Sequence, residues 1–126
     1  MSPMSRATAL RIAAALSVLV AVIGVVLFDL PNLFLGAEES KAPFALVLGS
    51  FTSDVLAFVA AYGAWRTQKW GAVLLIVVNA FWIVQAVSSL LFDSTGAELT
   101  FAAVMLVHHV VVISLCLWRE RVVSAA

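Results

Sequence analysis

Four stretches of about twenty residues, each carrying at most one formal charge, dominate this chain: roughly 12–28, 44–65, 71–92 and 99–118. A helix of that length crosses about 30 Å of hydrocarbon. Inside a bilayer, every backbone N–H and C=O must be satisfied within the segment, so the runs have to be helical. Composition agrees. Hydrophobic residues make up 64% and charged residues 11% of the 126 positions, and mean hydropathy is +1.14. A soluble domain is nearer half apolar and a quarter charged. The expectation is an all-α, membrane-spanning four-helix bundle. It is one transmembrane domain over 1–126, with helices at about 10–28, 44–65, 71–92 and 99–118.

The charges sort by side. Arg6, Arg11, Arg66, Lys69, Arg119 and Arg121 fall at one end of the spans. Lys41 falls at the other, with Asp29, Glu38, Glu39, Asp93 and Glu98. Cations collect on the cytoplasmic side, so both termini are expected there, as an even number of spans requires. A signal peptide is the competing reading of the first run. That run is longer than a usual h-region and lacks a small-residue cleavage pattern after it, so a retained helix is expected. These features place the chain as a multi-pass protein of a cell membrane, with the bacterial inner membrane as the expected one.

Helix one is expected to end at Pro31, and helix two to begin at Pro43, a first-turn position that proline tolerates. Leu30, Leu33, Phe34 and Leu35 would then form an interfacial turn, or fold over the bundle end. Small residues repeat at spacings of three and four: Ala14, Ser17, Ala21 and Gly24 in the first run, and Ser50, Ala57 and Ala61 beside Asp54 in the second. These faces should point inward, because close backbone approach drives association in lipid. Leu16, Leu19, Val20, Ile23 and Leu27 are expected to meet lipid for the most part.

The functional candidates are the polar residues deep in the apolar runs: Asp54, Asn79, His108, His109 and, nearer one end, Gln85. An intramembrane carboxylate costs about 2.5–3.5 kcal/mol on insertion scales, so Asp54 must face the interior and find a partner or a proton. One reading makes these residues interhelical hydrogen-bonding cement, for example Asp54 to Asn79. Another gives them ligand or proton handling. Trp82 lies too deep for an interfacial belt, so its indole N–H needs an acceptor inside the bundle. A direct pairing of Asp54 with one histidine is also expected at this depth, His109 before His108. Adjacent helical residues diverge by about 100°, so the two rings cannot point the same way. That divergence also argues against a two-histidine metal site or paired haem ligands, where positions i and i+4 are wanted. No metal and no cofactor is expected. A single cysteine, Cys116, excludes an intrachain disulfide. Zero net charge argues against a nucleic-acid partner, and no phosphate-binding loop or nucleophile elbow occurs.

The four-span layout, with Gly63-Ala64-Trp65-Arg66 and Trp70-Gly71-Ala72 joining the second and third runs, resembles small bacterial DoxX-like four-helix membrane proteins. The resemblance implies a bundle working beside a redox or envelope-stress partner, and it carries over no catalytic residue. The expected function is non-enzymatic, an accessory subunit or small-ligand binder. Its partners would be the lipid bilayer, a second copy or a membrane protein, and a small-molecule ligand. A transporter or proton relay built on Asp54 and His108 or His109 is the alternative.

Overall fold

The computed structural model describes residues 4–39, 44–92 and 95–119, with the backbone alone for 35–39. Ser40, Lys41, Pro43, Asp93 and Arg121 of the charge and boundary readings lie outside the described residues. The chain forms α1 (Arg6–Gly24), a π-helical turn (Val25–Asp29), α2 (Leu30–Glu39), α3 (Phe44–Trp65), α4 (Lys69–Phe92) and α5 (Gly96–Cys116). The first three run on as one rod, so among the described residues four helices are long and apolar enough to cross a membrane. They stand in a ring in chain order: α1 packs on α3 and α5, and α4 packs on α3 and α5. The chain is thus an up-down-up-down, membrane-embedded bundle.

Local chemistry sets the helix ends. Ser5 caps α1 by accepting from the Thr8 N–H, and Thr95 caps α5 by accepting from the Glu98 N–H, each satisfying an otherwise orphan donor. Between α3 and α4, the Gln68 N–H bonds the Gly63 carbonyl and the Thr67 N–H bonds the Ala64 carbonyl, both at 2.9 Å. This is a Schellman closure, and it sets Thr67 at φ 58°, where glycine usually sits. Gly71 then crosses α3 so closely that a Cβ would lie 2.2 Å from the Ala64 nitrogen.

The cations at the terminal end do more than mark a side. Arg6 donates to the carbonyls of Cys116 (3.1 Å) and Trp118 (2.7 Å) at the end of α5. Arg11 donates to the Trp65 carbonyl at the end of α3 and lies over the Trp65 ring. Each guanidinium therefore neutralises the negative pole and the unpaired carbonyls of a neighbouring helix.

Most of the small-residue faces point inward: Ala14, Ser17, Ala21, Ala57 and Ala61 are buried, and Gly24 and Ser50 are half-buried. The lipid-facing expectation holds for Leu19 and Leu27, which are exposed, but not for Leu16 and Val20, which are half-buried and pack on the core, or for Ile23, which is half-buried beside the cavity. Ala13, Ala14, Ala60, Ala61, Ala64, Leu75, Val112 and Cys116 form a tight core in the terminal half. Alanine at these contacts lets the backbones close in.

The expected stop at Pro31 is overturned. The helix passes through the proline, and the turn just before it widens instead. Proline lacks an N–H, and its ring collides with the carbonyl four residues back in a regular helix. A π turn relieves that conflict locally, with the Leu30 N–H reaching back to the Val25 carbonyl. The consequence is rotational. A regular helix would leave Asp29 about 140° from Gly24, the last residue of the inward face. A five-residue turn brings Asp29 under Gly24. Asp29, expected in the loop after helix one, is fully buried.

Candidate functional site

Two polar clusters occupy the bundle interior. The first joins α1, α4 and α5. Asn79 donates from Nδ2 to the Ser17 hydroxyl (3.2 Å) and to the Leu75 carbonyl (2.9 Å). Its Oδ1 faces His109 Nδ1 at 3.1 Å. A carbonyl oxygen only accepts, so His109 Nδ1 carries a proton and donates in this contact. His109 is buried. His108 turns to α1, where Nε2 donates to the Leu16 carbonyl at 3.2 Å. The two rings lie edge to face, 5.6 Å apart, the divergence expected of helix neighbours.

The second cluster joins the π turn to α3. Ser50 donates to Asp29 Oδ1 at 2.7 Å. Asp54, one helical turn beyond Ser50 on α3, stands beside Asp29. Both residues are buried, and among the described residues neither Asp29 Oδ2 nor Asp54 Oδ2 has a donor beside it. Gly24 makes the approach possible: a Cβ there would lie 2.8 Å from Asp54 Oδ2 and 3.1 Å from Oδ1. The expected pairing of Asp54 with a histidine or with Asn79 is not what forms. Asp54 meets Asp29, and His109 meets Asn79.

Trp82 bridges the clusters. Its indole N–H finds an acceptor inside the bundle, the Ser53 hydroxyl at 3.0 Å, and Ser53 in turn donates to the Ser50 carbonyl. The Trp82 ring lies 5.3 Å from His109.

Beyond these clusters, toward the end away from the termini, the helices part around a cavity of about 690 Å³. Asp54, His109 and Trp82 stand at its deep end, and Gln85, Ser88 and Ser89 lie along one wall. Glu98, Phe92 and Phe101 line its other end. From Glu98 to His109 along α5 is about 16 Å. The remaining walls are mainly aliphatic and aromatic. The size, the apolar walls and a few convergent polar groups are the features of a small-molecule site. Among the described residues, no three His, Cys, Asp or Glu side chains gather as a metal-binding group.

Of the sequence candidates, Asp54, His109 and Gln85 line the cavity, Asn79 holds His109 from behind, and His108 faces α1. Asp29 was not among them. The signal lay in its spacing of five from Gly24, ahead of a proline. No family model, no curated protein and no solved structure matches this chain.

Proposed function

We propose that this chain is a non-enzymatic membrane protein that binds a small amphipathic molecule between its helices. The observation that carries the reading is the cavity of about 690 Å³, apolar along its walls and polar at its deep end. Mere helix-to-helix cement needs no such opening, and a buried carboxyl oxygen without a donor is costly unless something meets it. In this reading the protein lies in the bacterial inner membrane with both termini cytoplasmic, and the cavity faces the outer side. An accessory role beside a membrane partner, of the kind the DoxX-like resemblance implies, is part of the same proposal.

The test is native mass spectrometry of protein released from membranes. The unmodified chain should retain a discrete small-molecule adduct. Ala102→Trp, which places an indole in the cavity from a buried lining position, should lose it. The same adduct on both chains, or none on either, overturns the proposal.

A further inference from the structure

The rod formed by α1, the π turn and α2 is fastened to α5 over only part of its length. At the terminal end Arg6 donates to the Cys116 and Trp118 carbonyls, and the Trp118 indole N–H donates to the Met4 carbonyl at 2.9 Å. Further in, the His108 ring bonds the Leu16 carbonyl. Beyond that level the two part. Among the described residues, the π turn and α2 come close to α3 and not to α5. The apolar core follows the same division. α5 gives Val112 and Cys116 to the core of the terminal half, whereas Ala21, Ala57, Val78 and Trp82 form the next core from α1, α3 and α4 alone. The cavity lies behind the gap. Its lips are apolar: Ile23 and Leu27 on the rod, Phe101 and Met105 on α5, with Leu27 and Phe101 exposed. The ring order sets α3 and α4 opposite the gap. There α4 lines the cavity with Gln85, Ser88 and Ser89, and none of these side chains hydrogen-bonds another described residue. Each both donates and accepts, and a polar group left unpartnered at membrane depth is costly.

We infer that the cavity opens sideways into the bilayer between this rod and α5, and that it takes a long-chain amphiphile from the membrane itself. The uncharged, hydrogen-bonding head lies against Gln85, Ser88 and Ser89, and the chain passes out between Leu27 and Phe101. This rests on the small-ligand reading above and names the ligand class and its route for the same cavity. A hydroxyl or amide head donates and accepts as the α4 wall does, so it satisfies that wall without bringing a charge into a low-dielectric interior, where charge is most costly. From Gln85 to Ser89 is about 6 Å along α4, which suits a head of a few atoms. The chain needs no enclosure. Lipid tails are as apolar as the lips, so a chain leaving through the gap exchanges one hydrocarbon contact for another. Chain length beyond the cavity is then without penalty, and the head is what the site reads. His108, turned to α1 rather than into the cavity, fastens the seam beside the gap.

The experiment uses the full chain in phosphatidylcholine nanodiscs, photolabelled with hexadecanol that carries a diazirine midway along its chain. Labelled residues are located by peptide mass spectrometry. Ile23, Leu27, Phe101 and Met105 are expected to carry label that excess unlabelled hexadecanol removes and hexadecane, which has no head, does not. Val59 and Val77, exposed elsewhere on the bundle, report the lipid-facing background and should show no such difference. Ala102→Trp should remove the hexadecanol-sensitive label. Gln85→Leu combined with Ser89→Ala, which adds apolar groups at membrane depth and keeps the helix, should abolish the advantage of hexadecanol over hexadecane as competitor. Label at the four lip residues that matches Val59 and Val77, while Ala102→Trp still strips the adduct seen by native mass spectrometry, overturns the sideways opening and leaves the cavity reading standing. Equal competition by hexadecane and hexadecanol in the unmodified chain overturns the head assignment. Label and adduct both unaffected by Ala102→Trp overturn the cavity reading itself.

Discussion

Replacing Gly24 by alanine puts a methyl group into the contact between α1 and the Asp54 carboxyl. The new Cβ would lie 2.8 Å from Oδ2, 3.1 Å from Oδ1 and 3.3 Å from Cγ. Ordinary contact begins near 3.4 Å, so the whole carboxyl must retreat by about half an ångström, into a neighbourhood already filled by Asp29. Two costs follow. An off-rotamer Asp54 side chain costs about 0.5–1.5 kcal/mol, and overpacking an interior contact costs about 1–3 kcal/mol in total. Against them stands the gain in helix propensity from glycine to alanine, about 0.8–1.0 kcal/mol. The net expectation is a loss of about 0–2 kcal/mol. Gly49→Ala isolates the propensity gain, because its nearest neighbour is Phe81 Cζ at 4.0 Å. It should be neutral or stabilising by up to about 1 kcal/mol. Gly71→Ala isolates the opposite extreme. Its Cβ meets backbone at 2.2 and 2.3 Å, which no rotamer change relieves, so a loss above about 3 kcal/mol is expected. Unfolding in mixed micelles with increasing SDS, followed by helicity, gives the three values. The order Gly71, Gly24, Gly49 from most to least harmful is required. A Gly24→Ala chain as stable as Gly49→Ala would refute the close seating of Asp54 on α1.

Thr67→Gly should stabilise the bundle by about 0.5–1 kcal/mol, because a β-branched residue occupies the left-handed cap position at φ 58°; the same SDS unfolding assay checks it, and an unchanged midpoint counts against the cap. Asn79→Leu leaves the Ser17 hydroxyl and the His109 Nδ1–H without their partner. It should destabilise by about 1–3 kcal/mol, and adding His109→Leu should recover part of the loss. Without such recovery, the two residues are not coupled. For topology, Ser40→Cys should react with an impermeant maleimide added outside the cell and Thr67→Cys should not; the reverse pattern inverts the orientation.

The bundle was legible because its signals are local. Apolar run lengths give the spans, and the small-residue periodicity of α1 and α3 gives the inward faces. Depth alone marked Asp54, Asn79 and His109 as interior groups, and the stranded indole of Trp82 required the acceptor that Ser53 provides. What sequence reasoning missed depends on one turn. Pro31 reads as a terminator, since in isolation it breaks a helix. In the bundle, packing on α3 holds the helix together, and the chain absorbs the proline as a π turn. That turn moves Asp29 from an expected loop into the buried polar cluster with Ser50. It also supplies the partner of Asp54, which depth matching alone assigned to a histidine. The arginines show a related limit. Counting them indicates a side, but their contacts to the carbonyls of Trp65, Cys116 and Trp118 need the helix ends in place.

The carboxyl pair is the centre of this interpretation, and a double-mutant cycle tests it most directly. Asp29→Asn, Asp54→Asn and the double variant are compared with the unmodified chain by SDS unfolding. If the two carboxyl groups meet, each amide changes what its neighbour faces, and the cycle should show a coupling of about 0.5–3 kcal/mol. If Asp29 lies instead in a solvated loop, the two effects will add to within about 0.3–0.5 kcal/mol, and the arrangement described here is contradicted.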